Sequence, residues 1–244
     1  MTAKIILVTG ANRGIGFCIV QALAQSAPEH TYVLGVRSLS SGEGAISELN
    51  NLGINSRLEI LELDITDDAR IQEAVSEATE RFGKLDVLIN NAAVAQNPKP
   101  DNSDLRVTYN RVLDANVTSV AVITNAFFPL LKKSKDTRVI NVSSSRGSVT
   151  LQTTGQLPPT VAISYLVSKT AVNVLTLELR KLETDVLFHV ACPGHCKTGL
   201  NGFRGAKDPL DGAKVIVELA TSERETYKSG FWQFEKGEMR EVPW

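Results

Sequence analysis

Tyr165 and Lys169 stand four residues apart inside a helical pattern, and they are the pair in this sequence best suited to move a proton. Positions i and i+4 share one helix face, one turn apart. An isolated phenol, with a pKa near 10, is a poor acid–base group at neutral pH. A neighbouring ammonium favours the phenolate, so the pair predicts a tyrosine pKa drawn down toward the working pH. Upstream lies Asn141-Val142-Ser143-Ser144-Ser145, where a hydroxyl from Ser144 can hold a substrate oxygen against the phenol. Taken alone, Tyr-x-x-x-Lys is a very weak signal, more often a solvated helix face.

A second cluster reads Thr9-Gly10-Ala11-Asn12-Arg13-Gly14-Ile15-Gly16, between a short apolar run and a helical pattern. Glycines permit a tight turn and a close approach of phosphate oxygens, and the free amides of a helix start face that anion. The spacing is G-x-x-x-G-x-G, not the general G-x-G-x-x-G. A dinucleotide without a 2′-phosphate usually has its ribose hydroxyls held by an acid about 20 residues further on. Here that place reads Val36-Arg37-Ser38, with no acid. Arg37, with Arg13 in the loop, suits a 2′-phosphate instead, because guanidinium matches phosphate geometry bidentately. The loop therefore predicts NADP(H) rather than NAD(H).

These residues need a scaffold. Strand candidates fall at 4–9, 32–37, 57–63, 85–90, 138–143, 186–191 and 230–234, nearly continuous in Val, Ile and Leu. Such runs suit strands covered on both faces, as in parallel sheets. Helical patterns lie between them at 14–26, 41–51, 67–82, 104–131, 164–183 and 208–219. The alternation predicts an α/β fold, a Rossmann-type doubly wound, mostly parallel sheet in a single domain spanning 1–244. Ligands then sit beyond the carboxyl ends of the strands, at the topological switch point. Two polar, turn-rich segments, 94–103 and 145–163, follow strands and would border that site. A third, 195–207, carries Gly199, Gly202 and Gly205 and reads as a lid.

Composition narrows the partners. The 244 residues are 43% hydrophobic and 22% charged, which excludes a disordered or fibrous chain. With 26 Lys+Arg against 27 Asp+Glu, no global basic field is present to hold nucleic acid or an anionic membrane. No apolar run reaches the roughly 20 residues of a bilayer span. The opening MTAKIILVTG reads as a first strand rather than a signal peptide. Cys18, Cys192 and Cys196 are too few for a disulfide framework, so a reducing, cytoplasmic setting is expected. His189, Cys192, His195 and Cys196 lie close in sequence but lack the spacing of a metal site, and no metal is expected.

Joined in order, T-G-x-x-x-G-I-G at 9–16, Asp64, Asn90-Asn91-Ala92-Ala93, Asn116, the serine run, Tyr165-x-x-x-Lys169 and Pro193-Gly194 form a specific pattern. Over essentially its full length the chain resembles the short-chain dehydrogenase/reductase family. The resemblance implies hydride transfer between a nicotinamide and a carbonyl or alcohol on a small molecule. It implies Tyr165 as general acid–base, Lys169 as its partner and a contact to the nicotinamide ribose, Ser144 as the substrate-orienting serine, and Asn116 in a proton relay. It further implies cofactor contacts at Gly10, Asn12, Arg13, Gly14, Ile15, Gly16, Arg37, Asp64, Ile65, Asn91, Pro193, Gly194 and Thr198. Ala93 stands where the family usually has glycine, which leaves that role intact if its φ is negative.

The serine-to-tyrosine spacing is longer than is usual for the family. The extra residues resemble the carbonyl-reductase-like branch, which implies an NADPH-dependent reduction of a ketone or aldehyde. Ser143 and Ser145 stay open as alternatives to Ser144. Gln152, Leu157 and Phe203 sit on the segments expected to border the substrate. The helices at 104–131 and 164–183 form subunit interfaces in many relatives, which makes a homo-oligomer compatible with the pattern. Two other readings share these residues: an epimerase or dehydratase of the extended relatives, and a cofactor-binding redox sensor without turnover.

Overall fold

The computed structural model describes residues 3–244. Eight strands form one sheet in the order β3-β2-β1-β4-β5-β6-β7-β8. They are β1 Ile5–Thr9, β2 Thr31–Val36, β3 Arg57–Glu62, β4 Val87–Asn90, β5 Arg138–Val142, β6 Leu187–Cys192, β7 Phe231–Glu235 and β8 Glu238–Glu241. The first seven pair in parallel, and β8 returns antiparallel on β7. The strand-rich doubly wound sheet expected from the apolar runs is present, with β8 as an addition. That strand reads Glu-Met-Arg-Glu and carries no apolar alternation. It forms because Lys236 and Gly237 both take positive φ, 53° and 87°, which closes a tight hairpin.

Helices cover both faces: α1 Gly14–Ser26, α2 Leu39–Asn51, α3 Asp68–Phe82, α4 Leu105–Leu113, α5 Ser119–Leu131, α6 Val149–Thr153, α7 Ile163–Leu182 and α8 Pro209–Thr221. Alternate residues of each strand feed opposite layers. Ile6 and Val8 of β1 join Ile19, Leu23, Leu49 and Ile216 on the face of α1, α2 and α8. Leu7 joins Ile71, Ile123, Phe127 and Phe188 on the other face. Local chemistry sets the helix ends: the Asp67 carboxylate accepts from the Ala69 and Arg70 amides, and Gly83 closes α3 in the left-handed region at φ 70°.

Two expectations about the elements change. The pattern at 104–131 is one long helical run interrupted by a π-helical turn at Asp114–Thr118. By length and mean hydropathy this run does reach that of a membrane span, against the sequence reading. Half of it is buried in the fold, where α5 packs on the sheet. The segment at 145–163 is not a loop throughout: Ser145–Gly147 is a 3₁₀ turn and α6 follows it.

The order of strands reverses direction at β1 and β4, so the connections after these two strands diverge and leave a crevice. The glycine loop leaves β1 and Asn91 leaves β4 at that point.

Candidate active site

The glycine loop is set by backbone sterics. Gly10 and Gly14 take φ of 65° and 58°, and the Gly10 amide donates to the Gly35 carbonyl at 2.8 Å. A Cβ on Gly16 would lie 2.2 Å from the Gly10 carbonyl oxygen and 2.5 Å from Asn91 Nδ2, so no side chain fits there. Asn91 braces the turn: its Nδ2 donates to the Thr9 carbonyl at 2.9 Å. Thr9 Oγ1 accepts from the amides of Asn91 and Ala92, both at 3.0 Å, tying the ends of β1 and β4 together. Thr9 was absent from the sequence candidates, although its side chain is what joins the two loops. Ala93 lies outside the positive-φ region, so its replacement of glycine carries no backbone strain.

Helix α1 begins at Gly14 with Arg13 at its N-cap, and no side chain caps its first amides. Those amides and the dipole end face the crevice side of the sheet, as an anion site requires. Asn12 and Ile15 flank them, half-buried. Arg13 is exposed on this loop, and Arg37 is exposed just past β2. Neither guanidinium enters an ion pair with another described residue. Beyond β3, Asp64 accepts from the amide and hydroxyl of Thr66 at 3.0 and 2.8 Å, and Ile65 packs on the core behind it.

Helix α7 supplies the other wall. Lys169 is buried, and its Nζ donates to the Val142 carbonyl at 2.8 Å, at the end of β5. The same ammonium lies 5.5 Å from the centroid of the Tyr165 ring, so the two residues do share a face. The expected lowering of the phenol does not appear. Burial pushes the Tyr165 pKa above its ordinary value, and the nearby Cys192 and Cys196 sulfurs add to the rise. Burial also pulls Lys169 down to about 8. Desolvation is the leading cause of both shifts, so each group is driven toward its neutral form.

Asn116 is buried on the π-helical turn and reaches two elements. Its Oδ1 accepts from the Val94 amide at 2.8 Å, and its Nδ2 donates to the Val94 carbonyl at 2.9 Å and to Ser168 Oγ at 3.0 Å. Ser168 Oγ in turn donates to the Tyr165 carbonyl at 2.7 Å. Ser168 was missed from sequence, yet it links Asn116 to the turn of α7 that carries Tyr165 and Lys169. Irregular π turns of this kind recur at functional sites because they re-aim a side chain.

The three serines of the run differ in their partners. Ser143 is buried and donates to Asn173 Oδ1 at 2.7 Å, pointing into the fold beneath the site. Ser144 is half-buried at the N-cap of the 3₁₀ turn; its Oγ accepts from the Arg146 amide at 3.2 Å and keeps its proton for another acceptor. The Ser145 amide donates to Cys192 Sγ at 3.1 Å. Cys196 Sγ donates to the Pro193 carbonyl at 3.3 Å, so both thiols near the site have other partners.

Pro193 and Gly194, the latter at φ 84°, turn the chain after β6. Thr198 then lies over the glycine loop, its Cβ and Cγ2 each 3.7 Å from where a Gly14 Cβ would be. The segment 195–207, expected to be a glycine-hinged lid, is closed at its base. Its two ends pair, with Lys197 N donating to Lys207 O at 2.9 Å and Lys207 N to His195 O at 3.1 Å. A Cβ on Gly205 would lie 2.1 Å from the Cys196 backbone, so this glycine serves close packing, not a hinge.

The sequence model of the family described as short chain dehydrogenase matches residues 4–208. The chain belongs to the short-chain dehydrogenase/reductase family. Among members of this family, a short-chain dehydrogenase/reductase of Aspergillus fumigatus is 36% identical, across 99% of this chain and 97% of that protein. Carbonyl reductase [NADPH] 1 of Sus scrofa is 29% identical, across 89% of this chain and 86% of that protein. Of the solved structures, NADPH-bound carbonyl reductase from chicken fatty liver superposes with a TM-score of 0.82 at 28% identity, covering 100% of both chains. Salutaridine reductase from Papaver somniferum gives 0.80 at 25% identity, across 93% of this chain and 99% of that one.

Proposed function

We propose that this family member is an NADP(H)-dependent carbonyl reductase that converts a ketone or aldehyde to an alcohol. The observation that carries the reading is the linked set Asn116–Ser168–Tyr165–Lys169, held at the end of β5 beside the glycine loop. The NADPH-bound state of the chicken relative and the name of the pig relative support the same cofactor here.

The residues fit such a dinucleotide. Gly16 offers a cradle that a single Cβ would fill, the uncapped start of α1 suits the pyrophosphate, and Arg13 with Arg37 suit a 2′-phosphate. Asp64, Ile65 and Asn91 would border the adenine side, and Pro193, Gly194 and Thr198 the nicotinamide side. When bound, the reduced nicotinamide supplies hydride to the carbonyl carbon.

The chain's own residues handle the oxygen. Ser144 orients it through its free hydroxyl proton. Tyr165 donates the phenolic proton to it, and a pKa raised by burial keeps that proton in place until it is needed. Lys169 stabilises the phenolate left behind, and Asn116 with Ser168 fixes the helix turn on which both stand. The exposed Val107 on α4 and Val174 on α7 suit packing against a second copy of the chain.

The test mixes the protein with NADPH or NADH and a panel of ketones and aldehydes, following loss of reduced-nicotinamide absorbance. Steady, carbonyl-dependent oxidation of NADPH in preference to NADH is expected. Binding without turnover, or substrate rearrangement without net oxidation, would overturn the reading.

A further inference from the structure

The segment after β8, residues 242–244, contacts the part of the chain that follows Ser144. Val242 is buried, and its amide donates to the Phe231 carbonyl at 2.8 Å, extending the β7–β8 pairing by one step. The Trp244 ring then packs on Phe231, with centroids 5.7 Å apart. Its backbone oxygen accepts two bonds from the first turn of α6, from the Thr150 amide at 2.9 Å and Thr150 Oγ1 at 2.6 Å. Next to it, the Pro243 carbonyl accepts from Ser148 Oγ. Ser148 is fully buried at the N-cap of α6, where its Oγ also accepts from the Leu151 amide at 3.1 Å.

The contact continues toward the chemistry. Leu151 and Trp244 pack on one small cluster with Val190, Cys192, Phe231 and Val242. Cys192 Sγ takes the amide of Ser145, and Gln152 Nε2 donates to the Arg146 carbonyl at 2.9 Å. Helix α6 is only five residues long, too short to hold its place through its own backbone bonds. On the far side of Trp244 lies a cleft of about 430 Å³, lined by Arg180, Phe231 and Glu241 among others. The indole is therefore held by its packing on Phe231, and the Thr150 bonds hold the Trp244 backbone oxygen, not the ring.

We propose that residues 242–244, with Trp244 and Thr150 at the centre, position α6 and through it Ser144 for the carbonyl substrate. They are positioning residues: they act on the substrate side of the site and leave the glycine loop alone. This inference rests on the reductase reading above, so its test carries one readout independent of turnover.

Full-length Trp244→Ala and Thr150→Val are compared with wild type, with Trp244→Phe as the conservative variant. Each is assayed for kcat and KM with a carbonyl substrate, for NADPH Kd by fluorescence, and for hydrogen exchange over 145–153 and over the glycine loop. Expected are faster exchange confined to 145–153, kcat/KM lower by about tenfold, and NADPH affinity unchanged. Trp244→Phe restores both, because its ring still packs on Phe231. Unchanged exchange over 145–153 overturns the proposal. So does a loss of NADPH affinity in parallel with activity, which marks general loosening. If wild type turns over no carbonyl, the reductase reading fails, and exchange over 145–153 alone then decides the bracing.

Discussion

Two buried cations stand at opposite ends of β5, and they are built differently. At its start, Arg138 is 1% exposed and fully partnered. It pairs with Asp136 at 2.9 Å and donates to the Leu219 and Ser222 carbonyls at 2.7 and 2.6 Å, capping the end of α8. Lys4 reinforces the same carboxylate at 2.7 Å. At the other end, Lys169 is 3% exposed and has one carbonyl partner and no carboxylate among the described residues. A buried cation costs free energy unless it is paired and hydrogen-bonded. The first end stabilises; the second holds a charge that chemistry can use.

The largest effect that separates them is at Lys169. Lys169→Met is expected to lower kcat about a hundredfold or more while leaving Tm unchanged or raised, because an unpaired buried charge is removed. A large fall in Tm, read by thermal melts, would erase the contrast. The same contrast has a pH signature. A lysine lowered to about 8 in the fold binds its proton less well than in the unfolded chain. Stability should therefore rise with pH above 8, by about 2–3 kcal/mol at pH 10 relative to Lys169→Met.

Asp136 should behave in the opposite sense. Asp136→Asn leaves Arg138 and Lys4 without their carboxylate, and a loss of about 3 kcal/mol is expected in denaturant titration, with kcat intact. The carboxyl is held down to about 2, by the bonds and charges of Arg138 and Lys4 working against burial. Its contribution is thus present above pH 3.8 and is lost as pH falls through about 2, amounting to about 2 kcal/mol. A smaller effect lies at the exposed Arg37. Arg37→Asp should weaken NADPH about tenfold or more, near 1.4 kcal/mol, and spare NADH. Equal losses for both cofactors would remove the 2′-phosphate from the account.

The glycine loop of the candidate site was legible in the sequence because backbone sterics write it in glycine. Gly10, Gly14 and Gly16 are each dictated by a φ or a contact within the loop itself. Tyr165 and Lys169 were legible through helix periodicity, but the direction of the phenol shift was not. Spacing reports proximity and says nothing of desolvation, which prevails here. The substrate half was the least legible. Helix α6 is held by Trp244, nearly a hundred residues away, and its five residues are too few to show a helical apolar period. Ser168 escaped notice, and Thr9 was read only as part of the glycine motif, for the same reason: their importance lies in partners distant along the chain. The strand β8 was hidden by its charges, since an exposed edge strand needs no apolar face.

The central claim is that the Tyr165 phenol gives its proton to a carbonyl oxygen while the rest of the crevice holds the coenzyme. Single-turnover oxidation of NADPH by Tyr165→Phe, with NADPH affinity measured on the same sample, tests it most directly. Affinity within about twofold of wild type and a rate lower by about a thousandfold are predicted. A rate within about tenfold of wild type would contradict the account and place the proton elsewhere.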